Sequence, residues 1–195
     1  SSKLAKIAPE NSAYLILIFL FWPFLSFFLA CKDFKNKVSR RIILAFFVLY
    51  GLLFFINPAM DGQRRADSLK EIHEQPFENL FNTFDNLYEE TLDVFEPVLI
   101  FTISRVTDVP GVLFAVYALI FGSLMLYYLR KMYRHYAINP TVNVLLFFIL
   151  LVCVNPINGI NGFRMWAAAW IFAIGVLNYL HKPNYKFVIV SACSV

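Results

Sequence analysis

Arginines at four positions could together hold an anion: Arg64 and Arg65 beyond one apolar run, Arg105 at the end of another, and Arg164 at the start of a third. A guanidinium presents a planar fork of N–H donors that matches a pair of phosphate or carboxylate oxygens. Arg164 has the most favourable setting. The turn-forming run Asn-Pro-Ile-Asn-Gly-Ile-Asn-Gly at 155–162 delivers it into the first turn of a helix. Unpaired backbone N–H groups and the positive end of the helix dipole already favour an anion there, so a phosphate or pyrophosphate suits the combination. Each arginine also has a plainer use. Arg105 and Arg164 can snorkel to a membrane surface, Arg164 in the company of Trp166 and Trp170 as interfacial anchors. Asp61, beside Arg64 and Arg65, can simply cap a helix running through Leu69 and His73. What favours the anion site is that separate segments all bring arginine to the same side of a membrane. His73 and the other two histidines have no partners at ligand spacing, so no metal is expected.

The elements that must position these residues are apolar helices. With 59% hydrophobic residues and 22 Phe in 195 residues, the chain exceeds what a water-soluble core can hide and falls in the polytopic membrane class. Its basic residues sit in short clusters directly after apolar runs, as orientation signals do, and not in the stripes of a nucleic-acid-binding face. The expected fold is all-α, a bundle of transmembrane helices in one domain spanning 1–195. Spans are predicted at 14–30, kinked near Pro23, and at 42–56, 110–129, 141–154 and 163–180. The basic cluster after Ala30 and Cys31 marks the first as a retained span and not a cleaved signal. A sixth opens at 187 and reaches only 195; since a crossing takes about twenty apolar residues, the chain is expected to be part of a longer one. Residues 97–106 are apolar but too short to cross, and predict a half-span that lifts Arg105 to the outer surface. The same stretch can instead extend the 110–129 span, kinked at Pro110. Cys31, Cys153 and Cys193 lie at or in apolar segments without metal or redox spacing and are expected as buried thiols.

Placing the basic clusters on the cytoplasmic side puts ten of the seventeen Lys and Arg inside. The amino terminus, the interval 57–109 and the turn 155–162 are then outside. The outer loop 57–96 holds ten of the thirteen acids, opposed by Arg64, Arg65 and Lys70 alone, so it is the part that meets water. Within it Phe77, Leu80, Phe81, Phe84, Leu87, Tyr88 and Leu92 recur at helical spacing. They predict an amphipathic helix over 76–92 lying along the outer surface, where it serves the substrate or merely caps the bundle.

Four short motifs carry a likeness to a known family: Asp61 to Arg64 after an early span, Glu96-Pro97, Ser104-Arg105, and Gly162-Phe163-Arg164 opening a helix with Ala167, Ala168 and Ala169. Over roughly 58–180 the chain resembles the EpsG-like family of bacterial exopolysaccharide proteins, related to the Wzy-type polymerases of O-antigen and capsule. It departs from that pattern at Met165, where many members have Gln, and beside Arg64, where many have Tyr and this chain has Gln63 and a second arginine, Arg65. The resemblance implies a multi-pass, GT-C-like glycosyltransferase of the bacterial cytoplasmic membrane. Such an enzyme joins repeat units carried on undecaprenyl pyrophosphate at the outer face, with no cofactor and no nucleic acid, alone or with other polysaccharide assembly proteins. Arg64, Arg65, Arg105 and Arg164 would then stabilise the departing pyrophosphate, and Glu96, or else Asp61, would take the proton from the acceptor hydroxyl. Two other classes stand beside this one. A transporter of lipid-linked or anionic solutes also needs outward arginines, although it calls for polar residues at mid-membrane depth. A non-catalytic scaffold would use the acidic loop for docking and have no need of the arginines.

Overall fold

A computed structural model describes residues 8–54, 61–76, 95–135, 162–181 and 183–192, and these are helical with no strand among them. Proline and capping side chains set where the helices begin. α1 (Ala8–Phe21) stops at Trp22, and α2 (Pro23–Lys32) restarts with proline in its first turn, where the missing N–H is not needed. α3 (Lys37–Leu52) opens at Asn36, whose side chain accepts from the Val38 N–H at 3.0 Å. α4 (Asp61–Glu74) carries an acid in its first turn, as does α5 (Phe95–Ser104) with Glu96. α6 (Pro110–His135) follows, then α7 (Phe163–His181), then α8 (Tyr185–Ala192), which Asn184 caps through the Lys186 N–H at 3.0 Å.

α3 and α6 form the central pair, and small residues explain how closely they lie. A methyl group on Gly51 would sit 2.6 Å from the Phe114 carbonyl oxygen, and one on Gly111 would sit 2.6 Å from that of Leu52. The two backbones touch there, the close approach that apolar surroundings reward when no hydrophobic driving force is left. Below that contact the interface is aromatic. Phe47 and Phe121 stack at 6.1 Å, Phe27 packs on Phe46 at 4.5 Å, and Phe27, Phe47, Phe114, Phe121 and Tyr117 are all buried. α2 lies on α3, α7 on α6, and α8 on α7.

α6, with 26 residues, and α7, with 19, are each long and apolar enough to cross a membrane. Large apolar side chains are exposed along α1, α2, α7 and α8, among them Leu20, Phe21, Trp22, Phe172, Leu180 and Ile189. That pattern points to membrane association. Several boundaries differ from expectation. The span expected at 14–30 with a kink is two helices, α1 and α2, folded together. The one expected at 42–56 begins earlier, at Lys37, because the Asn36 cap carries the helix through the basic cluster. α6 likewise runs on through its basic end to His135. Residues 97–104 of the stretch 97–106 are helical, within α5, and the interval after Ser104 leaves the helix before Pro110 starts α6. The surface helix expected over 76–92, the span at 141–154 and all but the last residue of the turn at 155–162 fall outside the described residues.

Candidate functional site around Glu96

α4 shows two periods at once. Gly62, Arg65, Ala66, Leu69 and Ile72 share its buried face, while Asp61, Arg64, Asp67 and Lys70 are exposed. The register therefore sends Arg65 inward and Arg64 outward, although the two are neighbours. Arg65 meets the carboxylate of Glu96, its Nε donating to Oε1, with the two side chains only 5% and 9% exposed. Glu96 belongs to the first turn of α5, where Pro97 follows without loss of a helical hydrogen bond.

Two more donors reach the same carboxylate. Tyr117, about two turns into α6, donates its hydroxyl to Oε1 at 3.1 Å, and Arg164, in the first turn of α7, pairs through Nε with Oε2 at 3.0 Å. Arg164 keeps 38% of its side chain exposed, so it is the member of the cluster that a solute can meet. A column of rings fixes the arrangement. Phe163 lies flat on Tyr117, 4.2 Å between centroids and 6° between planes, and Phe95 stacks on the same Phe163 at 6.0 Å. Residues adjacent to Glu96 and Arg164 thus form a stack with the tyrosine that binds Glu96. Two guanidiniums share this carboxylate, one of them at the positive end of α7. An anion is what such a place attracts.

Arg105 has a different task. Its Nη1 donates to the Gln75 carbonyl at 2.9 Å and its Nη2 to that of Ile72, while the guanidinium lies 4.9 Å from the Phe101 ring centre. It closes the carboxyl end of α4, where cations are favoured. His73 Nδ1 meets the Ser104 carbonyl beside it. α4 and α5 consequently run parallel, tied at their starts by Arg65 with Glu96 and at their ends by Arg105 and His73. The length of α5, about 13 Å at 1.5 Å per residue from Glu96 to Arg105, separates the two ties.

Of the expected site residues, the structure brings together Arg65, Glu96 and Arg164. Arg64 points to the surface, its carbonyl accepting from Ser68 at 3.0 Å. Arg105 sits at the far end of α4. Asp61 is exposed at the start of α4, one turn before Arg65. Tyr117 was not expected. A tyrosine in an apolar helix gives no signal of its own, since its hydroxyl is as much at home at a membrane surface. Arg65 did carry a signal, because it falls on the apolar stripe formed by Ala66, Leu69 and Ile72. No family model, no curated protein and no solved structure matches this chain, so the cluster on Glu96 is what the functional argument has to stand on.

Proposed function

We propose that the chain is a multi-pass membrane glycosyltransferase of the polysaccharide-polymerase type, joining lipid-pyrophosphate-linked repeat units at the outer face of the bacterial cytoplasmic membrane. One observation carries this: two arginines from segments far apart in sequence converge on a buried carboxylate, and one of them stays half exposed at a helix N-terminus. Arg164 is the group that meets the pyrophosphate. As the bond from the anomeric carbon to the pyrophosphate oxygen breaks, charge develops on that oxygen, and a preorganised guanidinium stabilises it without having to reorient. Glu96 and Tyr117 are positioning residues that hold Arg164 and Arg65 in place. Glu96 is ill placed as the base, because it is 7% exposed and its oxygens already accept from three donors. The exposed Asp61, at the head of the same helix as Arg65, takes the proton of the acceptor hydroxyl as that oxygen bonds to the anomeric carbon.

The test is a strain lacking the protein. It should accumulate single lipid-linked repeat units, and polymer should return with the wild-type chain but not with Arg164→Lys, which keeps the charge and loses the fork. Normal polymer length from Arg164→Lys, or from the deletion strain itself, rejects the proposal. A second reading, in which the cluster is purely architectural, is favoured by the burial of Arg65 and Glu96. It predicts that Arg164→Lys lowers the amount of protein in the membrane along with the polymer.

A further inference from the structure

The α1–α2 pair is the most exposed apolar part of the described chain, and its geometry is not that of a crossing. End to end its two arms would suffice to cross, since α1 has 14 residues and α2 has 10, together about 36 Å at 1.5 Å each, against a hydrocarbon core of about 30 Å. They do not lie end to end. The Ser26 hydroxyl donates to the Leu15 carbonyl at 2.8 Å, eleven residues back, where a continuous helix would hold those residues about 16 Å apart. Pro23 supplies no N–H to continue α1, and Trp22 leaves the helical region with φ −146 and ψ 81. Neither arm alone, about 21 Å and 15 Å, reaches across.

The two ends of this fold-back differ in chemistry. At the apex Leu20 is 72% exposed, Phe21 88%, Trp22 63% and Phe24 56%. At the foot stand Lys32, Lys35, Lys37, Arg40 and Arg41, with Asp33 as the acid among them. Two of these cations have fixed contacts. Arg40 donates to the carbonyls of Phe34 and Lys35 at 3.0 Å and 2.7 Å, and Lys35 lies 5.6 Å from the ring centre of Tyr133 near the basic end of α6. An apolar apex over a cationic foot matches one leaflet of a bilayer, hydrocarbon above and anionic headgroups below. A protein partner would not require that gradient.

We propose that α1 and α2 form a wedge that enters and leaves the bilayer through the same leaflet, so that the amino terminus lies on the side of the basic turn after α2. Because basic clusters stay in the cytoplasm, that side is the cytoplasmic one, in contrast to the outside amino terminus that a full first span implies. This rests on membrane residence and not on the polysaccharide chemistry. The test uses the full chain with its three cysteines replaced by alanine and single cysteines returned as Ser2→Cys or Asn36→Cys. A membrane-impermeant maleimide should label both only after the cells are permeabilised. A fluorescent protein that matures only in the cytoplasm, fused ahead of Ser1 on the unaltered chain, gives the same answer without the cysteine changes and should be bright. Labelling of Ser2→Cys on intact cells, or a dark fusion at normal protein level, overturns the wedge while leaving the function proposed above intact. A photoreactive residue at Phe21 should form adducts with lipid, and adducts mainly with another protein or a second copy would overturn it as well. Release of the chain from membranes by alkaline carbonate would overturn the wedge and the membrane-enzyme proposal together.

Discussion

The two oxygens of Glu96 serve three donors, and the donors are not equivalent. Removing the charge with Glu96→Gln takes one buried partner from Arg65, a change worth about 3–5 kcal/mol when one partner of a buried pair is lost. Thermal unfolding in detergent should show a markedly lower midpoint. Tyr117→Phe removes one hydrogen bond and keeps the ring stack on Phe163, so it should lower stability by about 1 kcal/mol in the same measurement. Arg164→Lys acts on a pair whose arginine is partly exposed, so the stability change should stay within about 1 kcal/mol; if the proposed polymerase reading holds, polymer is lost with little change in melting point. At this scale the sequence was partly legible. Arginine type and helix start pointed to Arg164, and the acid beside Pro97 pointed to Glu96. The choice between Arg64 and Arg65 depended on which face of α4 is buried, and the high charge of residues 57–96 masked a short apolar stripe. Which carboxylate the arginines meet depends on contacts between helices distant in sequence, and no local pattern encodes that.

Between elements, the ties at the two ends of α4 and α5 separate a chemical role from a mechanical one. Arg105→Met should detach the end of α4 from α5 while leaving Arg65 and Glu96 paired. Hydrogen exchange should then quicken for amides near Gln75 and Val106 well before those near Glu96; uniform quickening of both helices would contradict this division. The α3–α6 contact makes a sharper prediction. Gly51→Ala drives a methyl group into a backbone carbonyl that cannot rotate away, and overpacking of this kind costs about 1–3 kcal/mol. Gly122→Ala meets the Phe47 ring edge at 2.8 Å, a side chain that can shift, so it should be the milder of the two by thermal unfolding in detergent. Helix starts at Pro110 and Phe163 were legible because proline and a glycine-rich turn punctuate the chain. The start of α3 was missed by starting from the first apolar residue, when the cap at Asn36 lay five residues of basic sequence earlier.

For the molecule as a whole, composition was enough to place it in the helical class, and apolar length was enough to find α6 and α7. The fold-back of α1 on α2 was not legible, because proline inside an apolar helix is commonly absorbed as a kink and the contact that distinguishes the two outcomes is a hydroxyl reaching a carbonyl eleven residues away. The parallel course of α4 and α5 has a consequence for the field of the whole assembly. Side by side and pointing the same way, their peptide dipoles add, and both helices begin at the end of the pair where Arg65 meets Glu96. Each helix contributes roughly half a positive charge at that end. Glu96 thus lies at the positive end of its own helix as well as against two guanidiniums. The backbone therefore helps the two guanidiniums keep a buried carboxylate ionised at this end of the molecule.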